Sequence, residues 1–371
     1  MIEDNQTAQY EILPRRGRGG KMAGGPVNPA APDERAGLSR VPRRHLVIIN
    51  PVSFRAGTNM ETFIAGVKDQ FEKVVKEDYA VLISRFPRHA IRMVRQYIIG
   101  AGPEQVVRVY AVGGDGILFD CLNGIVGLPN AELAPVPWGR TNDFIRAFGE
   151  GLEDSFRDIS RLASAPALPT DILHCGSNYA LNLCTVGLES AAIFHAVDIQ
   201  KSLRTWPRFF RDSRRVYYMI YYLGGIRVMF NKELLTQEYD ISVDGEDLSG
   251  VYASVNIANG PCYGGDKSAV LSAVPDDGFM DVLMFKGGST LRGLTRILPY
   301  TKGRYDRFPQ DFTLKRGKII SIRSQEPLMI NLDGEAFLDT DITVELIKGA
   351  VNIAAPDNLS YKQRPAPGAK F

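Results

Sequence analysis

An α/β nucleotide-binding domain with a parallel sheet, followed by an antiparallel β-sandwich domain, is the fold class this sequence predicts. Two observations carry it. Up to about residue 165, short β-rich runs alternate with apolar residues at helical spacing. Beyond that point many short strands follow one another, several separated by turn pairs such as Asp244-Gly245 and Asp333-Gly334.

In the first half, residues 45–49 read as a strand. Met60, Phe63, Ile64, Val67, Phe71 and Val74 then mark one helix face, and residues 79–84 a second strand. Ala90, Ile91, Val94, Tyr97 and Ile98 mark another helix before a strand over 105–112. That rhythm is β-α-β-α-β, which makes a parallel sheet covered by helices. In the second half, strands are expected at 171–174, 179–185, 239–243, 251–257, 280–285, 318–323, 328–332 and 342–347. Helical insertions are expected near 188–204, 214–231 and 290–302. The predicted units are a disordered tail (1–44), the α/β domain (45–165), the sandwich (166–350) and a C-terminal tail (351–371).

Composition narrows the classes. The chain has 371 residues, 44 basic against 42 acidic, so its net +2 carries no global nucleic-acid signature. Its four cysteines (121, 175, 184 and 262) show no Cys-x-x-Cys spacing, and its four histidines are scattered. A zinc site or disulfide framework is therefore not expected, and a reducing cytoplasm fits. The N-terminus lacks the apolar core of a signal peptide, and Met22 is an alternative start. The longest apolar run, 216–230, is interrupted by Gly224, Gly225 and Arg227 and is short of the roughly 20 residues a span needs.

The chemistry concentrates in two turns. Gly113-Gly114-Asp115-Gly116 stands between the strand ending at Val112 and a helix whose apolar residues are 117, 118, 121, 122 and 125. Such a turn aims main-chain N–H groups and a helix N-terminus at phosphate. A carboxylate inside it repels bare phosphate, which suggests Mg²⁺ between them. The plain alternative is a tight turn with Asp115 as helix cap. About twenty residues on, a strand over 132–136 leads into Pro137-Trp138-Gly139-Arg140-Thr141-Asn142-Asp143-Phe144, read as a second polar turn opening a second amphipathic helix. Neighbouring parallel strands would open both turns on one sheet edge, where open α/β folds bind ligands.

This pair of turns resembles the diacylglycerol kinase and sphingosine kinase-like family of lipid kinases, whose signatures look like GGDGT-x-N-E-x-x-N-G and P-x-G-T-x-N-D-F-A-R. Asn50-Pro51 after the first strand, Asn259-Gly260-Pro261-Cys262-Tyr263-Gly264-Gly265, Pro275-Asp276-Asp277-Gly278 and Asp333-Gly334-Glu335 extend the likeness over about residues 45–350. NAD kinases share the first turn, but the Asn-Asp-Phe helix start and the late Asp-Asp-Gly favour lipid kinases. The resemblance implies an ATP- and Mg²⁺-dependent kinase that acts on a lipid hydroxyl, diacylglycerol foremost. A catalytically weakened regulator and a kinase of sphingoid or ceramide-type alcohols are the alternatives.

The nucleotide would be bound by Asn50, Ser84, Gly113, Gly114, Asp115, Gly116, Ile117, Arg140, Thr141 and Asn142. Mg²⁺ would sit at Asp115 and Asp143, and a second metal at Asp277 with main-chain oxygens of Val274 and Phe279, where a surface turn is the competing reading. Glu335 or Asp115 would be the catalytic base. Three departures stand out. Ile117 replaces the usual Thr, Asp120 the usual Glu and Arg140 the usual Thr, and the Arg140 guanidinium is a substitute phosphate donor.

Residues 201–215 read KSLRTWPRFFRDSRR, six basic and one acidic, with Trp206, Phe209 and Phe210 between them. Arg204, Arg208, Arg211 and Arg215 share a helical face. Two readings stand equal: contact with an anionic membrane, or a solvated helix whose aromatics face the core. The expected setting is cytoplasmic with peripheral membrane association. A lipid substrate and a homodimer are the expected partners, with no nucleic acid.

Overall fold

The protein is represented by a computed structural model that describes residues 43–54, 59–202, 214–264 and 270–362. The expected disordered tail, nearly all of it, and residues 203–213 of the basic segment from Lys201 to Arg215 lie outside the described residues.

The N-terminal lobe alternates as its apolar spacing requires. Strand β1 (Arg44–Ile49) is followed by helix α1 (Met60–Gln70), whose first turn is capped by Asn59 Oδ1 accepting from Glu61 and Thr62 N–H. Then come β2 (Tyr79–Ile83), α2 (His89–Ala101), β3 (Val107–Gly113), α3 (Asp115–Ile125) and β4 (Ala131–Pro137). All of β3 is buried, the mark of a central strand covered on both faces. β1 pairs in parallel with β2 and β3, and β3 in parallel with β4, giving the spatial order β2-β1-β3-β4. Chain order reverses between β1 and β3. Their carboxyl ends are thus the switch point at which such sheets take ligands.

Helices α4 (Glu153–Arg157) and α5 (Ile159–Ser164) lead into strands of the second lobe: β5 (Ala167–Cys175), β6 (Asn178–Ala180) and β7 (Leu183–Gly187). Helices α6 (Leu188–Ser202), α7 (Arg214–Met229) and α8 (Lys232–Leu235) follow. The remaining strands are β8 (Glu238–Val243), β9 (Glu246–Asp247), β10 (Gly250–Ala258), β11 (Met280–Lys286), β12 (Phe312–Gly317), β13 (Ile319–Leu332) and β14 (Glu335–Ala354), with α9 (Thr290–Thr301) after β11. The first part of β13 pairs with β8 and its last residues with β7, both antiparallel. A register break between Arg323 and Leu328 lets this one strand serve both faces of the wrapped sheet. Val186, Ile241, Val255, Ile257, Met280, Ile320, Ile330 and Val344 fill the space enclosed.

Three expectations need correction. The second polar turn does not open an amphipathic helix: a single 3₁₀ turn, Phe144–Ala147, follows it, because Phe144, Ile145 and Ala147 are all buried and leave no polar face. The two lobes do not carry separate sheets, since the end of β14 pairs in parallel with β4 at Asn352 and Ile353. Nor are residues 351–362 of the expected C-terminal tail loose. Val351, Ile353, Ala354 and Ala355 are buried, and Tyr361 packs on Phe148 with its hydroxyl 2.6 Å from that of Thr170.

Candidate active site

The site is built from the edge where β1, β2 and β3 end. Asn50 follows β1, accepting from Val52 N–H at 3.1 Å, while Ser84 follows β2 and its N–H donates to Ile49 C=O. Gly113 and Gly114 continue from β3, and Asp115 begins α3. The second turn folds directly onto the first. A methyl group at Gly139 would stand 2.2 Å from the Gly114 Cα, so both positions must lack a side chain. Asn142, at φ +51°, secures this contact by accepting from Gly139 N–H at 2.9 Å and donating to Gly139 C=O. Its amide is thus committed to the turn. Arg140 lies beside Gly114 and is half-buried.

Asp115 ties the two turns together. One carboxylate oxygen accepts from the Thr141 hydroxyl and the other from the Asp143 N–H at 2.8 Å. The Asp143 carboxylate makes no cap hydrogen bond to the 3₁₀ turn that follows it, and it is buried. Ile117 is buried. Its side chain turns inward and packs in the core beneath Gly113, as an apolar group at that point of α3 must, so it contributes nothing polar to a phosphate site.

On the other side of Asp115 opens a cavity of about 570 Å³ between the lobes. Asp115, Gly116, Thr141 and Asp143 form its polar end together with Asp333, Gly334 and Glu335 from the hairpin joining β13 to β14. Asp333 and Gly334 adopt φ of +47° and +100°, the left-handed pair that a tight two-residue hairpin demands. The rest of the wall is largely apolar, with Leu188, Ile193, Ile226, Met229, Leu294 and Ile297 drawn from α6, α7 and α9.

Two carboxylates to which the sequence reading gave no role in the site, Asp333 and Asp120, shape this end. Asp333 accepts from the main-chain N–H groups of Leu181, Asn182 and Leu183, at 2.7, 3.0 and 2.8 Å, fastening the hairpin to the β6–β7 loop. Burial nevertheless pushes its carboxyl up to about 6. Asp120 is buried one turn along α3, and burial, then the charge of Glu335, pushes it up to about 6. Asp333 entered the sequence reading only as part of the Asp333-Gly334-Glu335 segment. For Asp120 the sign was an acid among apolar residues of a helix.

Mg²⁺ keeps few protein ligands and completes its shell with substrate phosphates, so Asp115 and Asp143 on one wall fit it. Among the described residues no group of three or more His, Cys, Asp or Glu forms a ready cage. The residues expected at a second metal share a turn, Asp277 between Val274 and Phe279. The Asp277 carboxylate pairs with Arg316 and accepts from Phe279 N–H at 3.0 Å, while Val274 C=O accepts from Asp276 N–H at 2.9 Å. Arg316 also lies 4.8 Å over the Phe279 ring.

The same two-part order, a catalytic domain followed by a sandwich, is returned by comparison with known proteins. Residues 44–175 match the model of the diacylglycerol kinase catalytic domain, and residues 211–355 that of the YegS C-terminal NAD kinase beta sandwich-like domain. Over both lobes the chain is similar to the diacylglycerol kinase family. A "Putative lipid kinase" of Staphylococcus epidermidis is 25% identical over 249 residues, 66% of this chain and 75% of that protein. One from Staphylococcus haemolyticus is 24% identical over 258 residues, 67% and 77% of the two chains. The crystal structure of a "putative diacylglycerol kinase" from Bacillus anthracis shares the fold, with a TM-score of 0.65 at 21% identity over 86% of this chain and 99% of its own.

Proposed function

We propose that this protein transfers the γ-phosphoryl group of ATP to the hydroxyl of a lipid, with diacylglycerol, giving phosphatidate, as the first acceptor to try. One observation carries the reading: acids from both lobes, Asp115 and Asp143 on one side and Glu335 on the other, line a single cavity whose remaining wall is largely apolar. A lipid alcohol placed there has its chains against α6, α7 and α9 and its hydroxyl among carboxylates.

The roles follow from what each group is already doing. Main-chain N–H groups around Gly113–Gly116 receive the phosphates. Mg²⁺, held by Asp115 and Asp143, would neutralise charge on the phosphate oxygens. Asp115 is held by Thr141 and Asp143 N–H, which fixes it as an anchor for the turn. The Glu335 carboxylate has no hydrogen-bond partner among the described residues and is free to take the acceptor's proton. Positioning and electrostatics carry the remainder of such a transfer. The lipid is met from the membrane surface; no described helix is long and apolar enough to cross a bilayer.

The test is phosphate transfer from labelled ATP to diacylglycerol in mixed micelles by the purified chain. Glu335→Gln should lower kcat by about 10²-fold or more, the worth of a positioned base, with little change in the KM for ATP. Wild-type protein that binds ATP yet labels no lipid would make it a regulator instead.

A further inference from the structure

On the sandwich side of the cavity a hydrogen-bond donor stands without a partner. Asn331 lies on β13 between Ile330 and Leu332, whose side chains belong to the sandwich core. Successive residues of a strand face opposite ways, so Asn331 points away from that core and lines the cavity, although it is only 5% exposed. Chemistry fixes its orientation. Oδ1 accepts from the Gly334 N–H at 2.9 Å, and a donor can be met only by the amide oxygen. The N–H₂ end is thereby left over. It has no hydrogen-bond partner among the described residues, and neighbouring atoms do not seal it off.

Other donors on this wall are spent. Thr185, paired with Asn331 across β7 and β13, directs its hydroxyl at Ser190 Oγ, 2.8 Å away, because the Ser190 hydrogen goes to Thr185 C=O. The Tyr263 hydroxyl donates to Glu189 at 2.9 Å, and the Asn182 amide to Cys262 C=O. A nearly buried donor on a wall otherwise satisfied or apolar is costly unless a ligand accepts from it. A lipid alcohol can offer it a carbonyl oxygen. Diacylglycerol carries an ester on the carbon next to the one whose hydroxyl reacts. Asn331 in turn lies opposite Ala336, the neighbour of Glu335, in the hairpin that brings Glu335 to the cavity.

We propose that Asn331 is a specificity-determining residue whose amide N–H₂ donates to the carbonyl of the acyl group nearest the reacting hydroxyl. Acyl lipids are then favoured over alkyl-ether lipids of the same shape. This rests on the lipid-kinase reading and adds to it the group by which the acceptor is gripped. A site built to hydrogen-bond a ligand group discriminates against analogues lacking it, because its own polar atom is then left unpaired.

Dioctanoylglycerol and its dioctyl ether counterpart, presented to the full chain in mixed micelles, test this. Wild type should favour the ester by about tenfold or more in kcat/KM. Asn331→Asp keeps an oxygen for the Gly334 N–H and removes the donor, so the ester-to-ether ratio should fall towards one while the KM for ATP stays as it was. The added charge beside Glu335 acts on both lipids alike and cancels in the ratio. Tm is recorded for the variant, and binding of each lipid is measured separately by displacement of a fluorescent lipid. Equal use of ester and ether by wild type overturns the assignment and leaves the kinase standing, whether or not the variant folds. So does a preference that folded Asn331→Asp retains. A raised KM for ATP with the ratio intact places the donor on phosphate and also overturns it. A binding preference for the ester that Asn331→Asp abolishes, without transfer to either lipid, upholds the subsite and removes the kinase.

Discussion

Asp120 shows how one buried acid can make stability depend on pH. Burial and the neighbouring Glu335 raise its carboxyl to about 6, above the value of about 3.8 it has when unfolded. A carboxyl whose folded pKa exceeds its unfolded one stabilises the fold only while protonated. That contribution is complete below about pH 4 and is lost as the pH rises through about 6. The gap between the folded and unfolded values is worth up to about 3 kcal/mol. Asp120→Asn should therefore raise Tm relative to wild type at about pH 7.5 and leave it nearly unchanged at about pH 4. Melting curves at the two pH values check this, and an equal change at both would remove the ionisation from the account. The departure from Glu at this position was visible in the chain. That it faces Glu335 was not, because the two lie far apart in sequence.

Among the elements, the contact between the two glycine turns decides most. Gly139→Ala would drive a methyl group into the Gly114 backbone, with Cβ only 2.2 Å from its Cα. The turns would separate, and Asp115 would lose its hold on Thr141 and the Asp143 N–H. A stability loss of about 1–3 kcal/mol and loss of transfer are expected. Gly116→Ala is the control, since nothing stands within 4 Å of the new Cβ. Helix propensity alone gains about 1 kcal/mol there, so Tm should hold or rise. The KM for ATP should increase all the same, because the side chain would occupy the space of the phosphates. A KM that stays put would place the triphosphate elsewhere. Both turns could be read from residue types at a fixed spacing. The missing helix after the second could not, since Phe144, Ile145, Ala147 and Phe148 look amphipathic until the core that buries all four is known.

For the whole molecule, the question is what brings Glu335 from the second lobe to the turns of the first. The hairpin that carries it is fastened by Asp333 to three consecutive main-chain N–H groups. Asp333→Ala should leave those donors unpaired, at a cost of about 2–4 kcal/mol, and release the hairpin. Expected is a fall in kcat of tenfold or more, on the order of what misplacing a catalytic group costs, with the KM for ATP little changed. A variant with unaltered kcat would show that the hairpin holds its place without this anchor. The two lobes are also bound through β14, whose end pairs with β4, and through Tyr361 beneath Phe148.

Local pattern by itself determined the alternation of strands and helices, the two glycine turns and the run of short strands, since spacing and turn chemistry act within a few residues of chain. Tertiary structure alone decided which acids meet. Asp244-Gly245 and Asp333-Gly334 share their letters and their left-handed geometry, and both are followed by Glu. Glu246 pairs with Lys315 at the surface, whereas Glu335 lines the cavity. The difference is long-range strand pairing, which sets where each hairpin points and has no signature inside the hairpin itself.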